Sequence, residues 1–459
     1  MKSLKIGQLK VFLRIFVVCS QLSILTACFW FCWNHFYEPI LSHPYGNSEE
    51  IALISTYFGG LLFAIWTYGG TKYAYYQAVM LFLSQILAVV VTNVVVFFIF
   101  IFSLHKLPPI LPIFVLTLVD IFLLLITTKA VLPFFRKIFP PKDLLLVCRQ
   151  EFLDEELKKI ESRKDLFRVK KVLSDSVSFD EIFETYKNEN CNAIMINDLA
   201  SDLHERVIKN CYDKGIRLYS VPKIYEILLQ KADRIHAFDT PVMLMRNEGF
   251  SYDKRIVKRL TDLAICVPAL IVASPVMLLA AIAIKLEDGG DIFFKQERVT
   301  IRGKHFNVLK FRSMRMDAEK DGAKPCVPGD SRITRVGNFI RKTRIDELPQ
   351  ILNVLNGDMT IVGPRPERYE HVEKYTEEMP EFSYRLSVKA GITGYAQIYG
   401  KYNTTPLDKL KLDLMYIRNQ SFIIDLKIII LTMRIMLTPS ATEGFSVERS
   451  REINVSTRE

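Results

Sequence analysis

The sequence predicts a three-part membrane protein: an α-helical membrane bundle of four spans, an α/β Rossmann-like middle domain, and a mostly α, membrane-associated third domain with a re-entrant helix. Three observations predict it. Four apolar runs long enough to cross a bilayer fall within the first 135 of 459 residues. Short apolar runs then alternate with polar helical segments from Asp143 to about Lys231. A fifth apolar run, 264–284, carries Ser274-Pro275 at its centre. The divisions fall at 1–140 for the bundle, 141–235 for the middle domain, 236–250 for a linker and 251–459 for the third domain. The re-entrant segment is 257–286.

The four spans are 11–33, 51–68, 78–102 and 110–135. Lys2, Lys5, Lys10 and Arg14 precede the first, and Arg136, Lys137 and Lys142 follow the fourth, whereas 34–50 holds no Lys or Arg. The positive-inside rule therefore puts both ends of the bundle in the cytoplasm. The first span reads as a retained anchor, because no signal-peptidase-like site follows it. Asp120 and Lys129 lie within the fourth span. Helix packing with snorkelling is the favoured reading, and a polar relay the alternative.

In the middle domain the runs 144–148, 167–173, 193–196 and 216–221 are the expected strands of a small parallel sheet. No G-x-G-x-x-G follows the first; Cys148-Arg149-Gln150 stands there instead, which argues against a dinucleotide site. A regulatory or dimerisation module is the better reading, so a homodimer is one expected assembly. The eight cysteines form no C-x-x-C pair, and the seven histidines show no ligand spacing. They suit a reducing compartment without zinc or disulfides.

The net charge is +10, and residues 251–350 hold 19 Lys and Arg against 12 Asp and Glu. Beside apolar segments, such a patch suits anionic lipid or a phosphorylated substrate. No nucleic-acid signature accompanies it, so nucleic acid is not an expected partner. Lys254, Arg255, Lys258 and Arg259 precede the fifth run, as lipid-headgroup ligands or as simple anchors. The Ser274-Pro275 break predicts a helix that enters one leaflet and returns; a kinked spanning helix is the alternative.

The chemistry concentrates in 341–367. Asp346 and Glu347 read as the start of a helix whose apolar face is Leu348, Ile351, Leu352 and Leu355, with Pro349 in its first turn and Gly357 past its end. Asp346 is expected at or next to the N-cap. Arg335, Arg341, Lys342 and Arg344 lie upstream, and Pro364-Arg365-Pro366 holds one arginine between two residues of fixed φ. Paired carboxylates among arginines suit phosphate chemistry with a hard cation, Mg²⁺ held by Asp346 and Glu347. A capping Asp followed by a first-turn Glu is the plainer alternative. The run 422–437 reads as a helix lying on the membrane or on the catalytic core, with a buried helix as an equal alternative.

Further blocks add specificity: Lys310-Phe311-Arg312-Ser313-Met314, then DELPQ with GDM, GPRP, Gly391-Ile392-Thr393-Gly394, and Asp413-Leu414-Met415-Tyr416-Ile417. In this order they resemble the bacterial sugar transferase family, the monotopic phosphoglycosyl transferases, over about 251–438. The whole layout is similar to large members that start capsule or exopolysaccharide repeat units. The resemblance implies transfer of a sugar 1-phosphate, glucose or galactose, from a UDP-sugar to undecaprenyl phosphate with release of UMP. It implies Asp346 as nucleophile, Glu347 and Mg²⁺ beside it, and Arg341, Arg365, Lys310, Arg312 and Glu367 at the substrate phosphates. Ser274 and Pro275 become the membrane break. The bacterial inner membrane is the expected place, with the lipid bilayer as partner and the catalytic domain on the cytoplasmic face; a spanning fifth helix would put Asp346 outside. Ala390 departs from the family's usual proline, Tyr395 from a common tryptophan, and Tyr399 from a frequent asparagine.

Two rivals remain open on sequence alone. A membrane-anchored sugar-nucleotide dehydratase needs a helical Y-x-x-x-K, but Tyr219 to Lys223 contains Pro222, and Tyr68 to Lys72 sits at a span edge. A non-enzymatic scaffold for polysaccharide assembly would tolerate loss of Asp346, Glu347 and Arg365.

Overall fold

A computed structural model describes residues 2–41, 45–73, 75–76, 78–104, 107–237, 239–245, 249–316, 318, 330–400 and 404–436. The chain divides into two compact units, 1–223 and 224–459.

The first unit opens with α1 (Lys2–Cys32), α2 (Asn47–Tyr68), α3 (Ala78–Leu104) and α4 (Ile110–Ile138). Each is long and apolar enough to cross a membrane, at the places the apolar runs indicate. Inside the bundle, polar side chains on different helices bond one another. Tyr57 donates to Asn93 Oδ1 (2.9 Å), and Asn93 Nδ2 to Thr117 (3.0 Å) and Asp120 (3.3 Å). Asp120 is fully buried in this packing, while Lys129 is exposed.

The same unit continues with β1 (Lys142–Cys148), α5 (Leu153–Glu161), β2 (Phe167–Ser174), α6 (Phe179–Asn188), β3 (Ala193–Asn197), α7 (Ser201–Asp213) and β4 (Leu218–Ser220). The strands run parallel in the order β2-β1-β3-β4. Residues 144–148 are buried without alternation because helices cover both faces of the sheet. Leu145 and Val147 enter one core with Ile194 and Ile196, while Leu146 and Cys148 enter the other with Ile160.

The second unit comprises α8 (Ile224–Leu229), β5 (Asp233–Ala237), β6 (Thr240–Leu244), α9 (Tyr252–Asp288), β7 (Phe293–Val299), β8 (His305–Phe311) and α10 (Arg335–Lys342). After a 3-10 turn at Ile345–Glu347 come α11 (Gln350–Asn356), β9 (Thr360–Val362), α12 (Tyr369–Glu378) and a 3-10 segment, Pro380–Ser387. The order ends with β10 (Gly391–Thr393), α13 (Tyr395–Tyr399), α14 (Pro406–Asn419) and α15 (Phe422–Met436). β5 and β6, and β7 and β8, form antiparallel hairpins, and β9 pairs in parallel with β10.

α8 belongs to the second unit and buries Ile227 against Val299, Phe382 and Leu410. The stretch expected as a linker, 236–250, includes β6 and ends on Phe250, a core residue only 7% exposed.

α9 is one continuous helix through Ser274 and Pro275, where the sequence suggests a break. Pro275 cannot donate to the Ile271 carbonyl; Ser274 Oγ donates to it instead at 2.8 Å. Both ends of α9 dock on its own unit: Cys266 with Phe306 and Val354, and Ala280 and Ile284 with Phe311 and Ile340. Between them Val267, Ile271, Val272, Leu278 and Leu279 stand exposed. α15 packs Ile428 and Leu431 into the core and leaves Phe422, Ile423 and Met433 exposed.

Candidate active site

Three elements converge on the paired carboxylates. β8 carries Lys310; α10 carries Arg341 in its last turn; and Arg344, in the left-handed region at φ 61, turns the chain into Ile345–Glu347. A non-glycine residue there is a strained choice of the kind that marks functional turns. Asp346 and Glu347 precede α11 and do not cap it: the N-cap is Pro349, with no side-chain cap. Proline, lacking an N–H, leaves the preceding turn to close by shorter bonds, Leu348 N–H to the Ile345 carbonyl at 3.1 Å. The expectation of Asp346 at the helix N-cap is corrected accordingly.

Buried Asn353 on α11 pins this turn to the sheet. Its Nδ2 donates to the Asn307 carbonyl (2.8 Å) and its Oδ1 accepts from Leu309 N–H (2.9 Å). That seam brings the next residue, Lys310, onto Glu347: Nζ to Oε1 is 2.7 Å. Arg365 Nη2 reaches the same oxygen at 3.1 Å. Burial alone would raise the Glu347 carboxyl, but the Arg365 and Lys310 charges outweigh it and hold it well below the usual range. Asp346 shifts the other way. Burial and then the Glu347 charge raise it, opposed by Lys310, Arg341 and Arg344. Its Oδ1 is buried and has no hydrogen-bond partner among the described residues. The side chain of Arg341 likewise makes no hydrogen bond to a described residue, so its donors are available to a phosphate.

Two cationic side chains support the far end of α11. Arg259 donates to the Val354 (2.6 Å) and Leu355 (2.7 Å) carbonyls, and Lys389 to Gly357 (2.6 Å). In the basic run at the start of α9, Lys258 and Arg259 are turned inward, while Lys254 and Arg255 are exposed. Lys258 pairs with buried Asp425 at 2.8 Å, and Arg255 binds the Phe250 carbonyl.

The other expected phosphate ligands lie elsewhere. Arg312, only 8% exposed, pairs with Asp288 and so secures the end of α9. Neighbouring Glu287 accepts from the Arg335 (2.8 Å) and Val336 (3.2 Å) N–H groups at the start of α10. Glu367 faces Arg385 and Lys409, at 3.8 and 3.9 Å. Lys310, Glu347 and Arg365 are therefore brought together, with Asp346 and Arg341 adjoining. Arg312 and Glu367 face other partners, and Ser274 and Pro275 lie on the exposed stretch of α9. The support that Asn353, Arg259 and Lys389 give α11 is revealed only by the fold.

The glycines of GPRP and GITG serve backbone contact. A Cβ on Gly391 would lie 2.1 Å from Gly363 N, and one on Gly394 2.2 Å from Gly363 O. Gly363 N–H donates to Thr393 O, and Gly391 N–H to Pro364 O, both at 2.8 Å.

Among the described residues no group of three or more His, Cys, Asp or Glu forms a metal cluster. Mg²⁺ does not need one, since it commonly takes one or two carboxylates and completes its shell with water and phosphate oxygens. The unpartnered Asp346 oxygen beside Glu347 fits that donor set.

The family model described as bacterial sugar transferase matches residues 253–439. The chain is 38% identical over 246 residues to a UDP-N-acetylgalactosamine-undecaprenyl-phosphate N-acetylgalactosaminephosphotransferase of Aeromonas hydrophila, covering 53% of this chain and 57% of that one. It is 36% identical over 236 residues to the UDP-glucose:undecaprenyl-phosphate glucose-1-phosphate transferase of Escherichia coli K12, covering 50% of each. The alignments thus span about half the length of these two relatives. An uncharacterized sugar transferase of Bacillus subtilis is 43% identical over 182 residues, 40% of this chain and 88% of its own. With the carboxylate turn and its basic partners in place, the chain belongs to the bacterial sugar transferase family.

Proposed function

We propose that this protein transfers a sugar 1-phosphate from a UDP-sugar to undecaprenyl phosphate, as the first membrane step of an exopolysaccharide or capsule. The observation that carries the proposal is the asymmetry of the carboxylate pair. Glu347 is neutralised by Lys310 and Arg365, while Asp346 keeps a buried oxygen without a partner. An Asp346 oxygen attacks the sugar-bearing phosphorus; the bond from phosphorus to the bridging oxygen breaks and UMP leaves. A phosphate oxygen of undecaprenyl phosphate then attacks the same phosphorus, the acyl phosphate bond breaks, and the carboxylate is regenerated. Arg341 and Arg365 offset charge on the transferred group. Asp346 and Glu347 would hold Mg²⁺, which when bound neutralises phosphate oxygens against an anionic nucleophile.

The reading also sets the membrane geometry. Both ends of α9 rest on the unit that holds the site, and its exposed middle is apolar. The docking of both ends supports α9 being held in one leaflet, with Asp346 on the cytoplasmic face of the inner membrane, where UDP-sugars are. The sugar is proposed to be glucose or galactose, and the middle domain to serve regulation or dimerisation. Relatives are named for transfer of glucose, N-acetylgalactosamine and galactose, so the donor is tested as a panel. Purified protein mixed with undecaprenyl phosphate, Mg²⁺ and each UDP-sugar is expected to release UMP with one or two donors. Release with none would favour the scaffold reading.

A further inference from the structure

The loop that presents Arg365 is held from behind through its backbone. Four successive carbonyls are engaged: Pro364 by Gly391 N–H (2.8 Å), Arg365 by Arg385 Nη2 (2.8 Å), Pro366 by Arg298 Nη1 (3.4 Å) and Glu367 by Val299 N–H (3.1 Å). Two of these donors are guanidinium groups. Arg385 is 2% exposed; its Nε and Nη2 also bind Asp413 Oδ2 at 3.0 and 2.8 Å, and Asp413 is 1% exposed. Its ring neighbour is Phe382, at 4.9 Å, and its Nη1 lies 3.8 Å from Glu367. A buried ion pair is a poor source of stability, since desolvation offsets most of its attraction. Geometry is what this one supplies. Arg385 reaches both residues that flank Pro366, and Asp413, from α14, sets the orientation of its planar fork.

We infer that Arg385, oriented by Asp413, is a positioning residue for the phosphate-binding arginine, Arg365. It touches no reacting atom and acts through the Arg365 carbonyl. The inference rests on the proposed transfer reaction, because Arg365 matters only if it meets the donor phosphate. Loss of the fork leaves Arg365 charged and present but free to wander from Glu347.

The test is a double-mutant cycle on full-length protein, with donor KM, kcat and melting temperature measured together. Arg385→Lys keeps the charge and loses the fork. It is expected to raise the KM for the UDP-sugar about tenfold, the effect of one well-placed hydrogen bond, with kcat changed less than about threefold. In an Arg365→Ala background the same change is expected to add less than about twofold, since the residue it positions is gone. If Arg385→Lys does not fold, the apolar pair Arg385→Met with Asp413→Leu removes both buried charges together and is expected to fold and still raise KM. Multiplying effects of Arg385 and Arg365, or a KM that follows melting temperature alone, would overturn the inference. An active wild type with an unchanged KM in Arg385→Lys would also overturn it while leaving the proposed function standing. A wild type that neither binds nor turns over any UDP-sugar removes the proposed function, and this inference with it.

Discussion

Asp346→Asn is expected to lower transfer by on the order of 10⁴-fold or more, the cost of deleting a nucleophile, and to raise melting temperature at neutral pH. The two effects share a cause. Asp346 is held in a buried place, beside a second carboxylate, with one oxygen unpartnered. Its folded pKa is raised, so the fold favours the protonated form. The ionised form is therefore a cost to the folded state, absent below the ordinary aspartate pKa and growing as pH rises through the folded value. Asparagine removes that charge. The gain in melting temperature, on the order of 1–3 °C for a unit of this size, should be present at pH 7 and shrink as pH falls toward 4. Thermal melts of both proteins across that range check it. A variant that loses activity and stability together would mean that Asp346 serves the fold rather than the chemistry.

Gly391→Ala is expected to destabilise the second unit by at least about 3 kcal/mol, beyond the usual cost of one added methyl in a core. The new Cβ would meet Gly363 N at 2.1 Å, its Cα at 2.6 Å and its O at 2.8 Å. All three are backbone atoms of the residue just past β9, whose N–H is itself bonded to Thr393 O, so no rotamer change relieves the contact. β9 and β10 must part, and Pro364 and Arg365 move with them. A melting temperature lower by roughly 6–12 °C, with transfer lost, is the expected outcome. Gly290 shows the contrast. Its nearest neighbours are the ends of the Arg312 and Met316 side chains, which can yield.

The elements whose cause is local were legible in the sequence. Four uninterrupted apolar runs became α1 to α4, and β-rich runs such as 144–148 became the parallel strands, since period and length decide these without help from the rest of the chain. α9 shows where local reasoning stops. Proline at 275 argues for a break, yet the hydroxyl of the preceding serine takes the carbonyl that proline leaves, and the helix continues. At the site, residue types were legible and partners were not. Lys310 and Glu347 lie 37 positions apart, joined through Asn353. Arg312 reads like nearby Lys310, but it lies just past the end of β8 and pairs with Asp288. Pro349 places the carboxylates in a turn ahead of α11, because the helix can begin regular bonding only beyond it. Arg385 and Asp413 become visible as a unit only when α14 is folded against the loop.

The most direct measurement is the mass of the intact protein after incubation with UDP-sugar and Mg²⁺, with no lipid acceptor present. A sugar phosphate added to the wild type, mapped to the peptide containing Asp346, discharged by undecaprenyl phosphate and missing from Asp346→Asn, is the result expected. An adduct retained by Asp346→Asn, or lipid product formed by an enzyme that never carries the sugar phosphate, would contradict a nucleophilic Asp346.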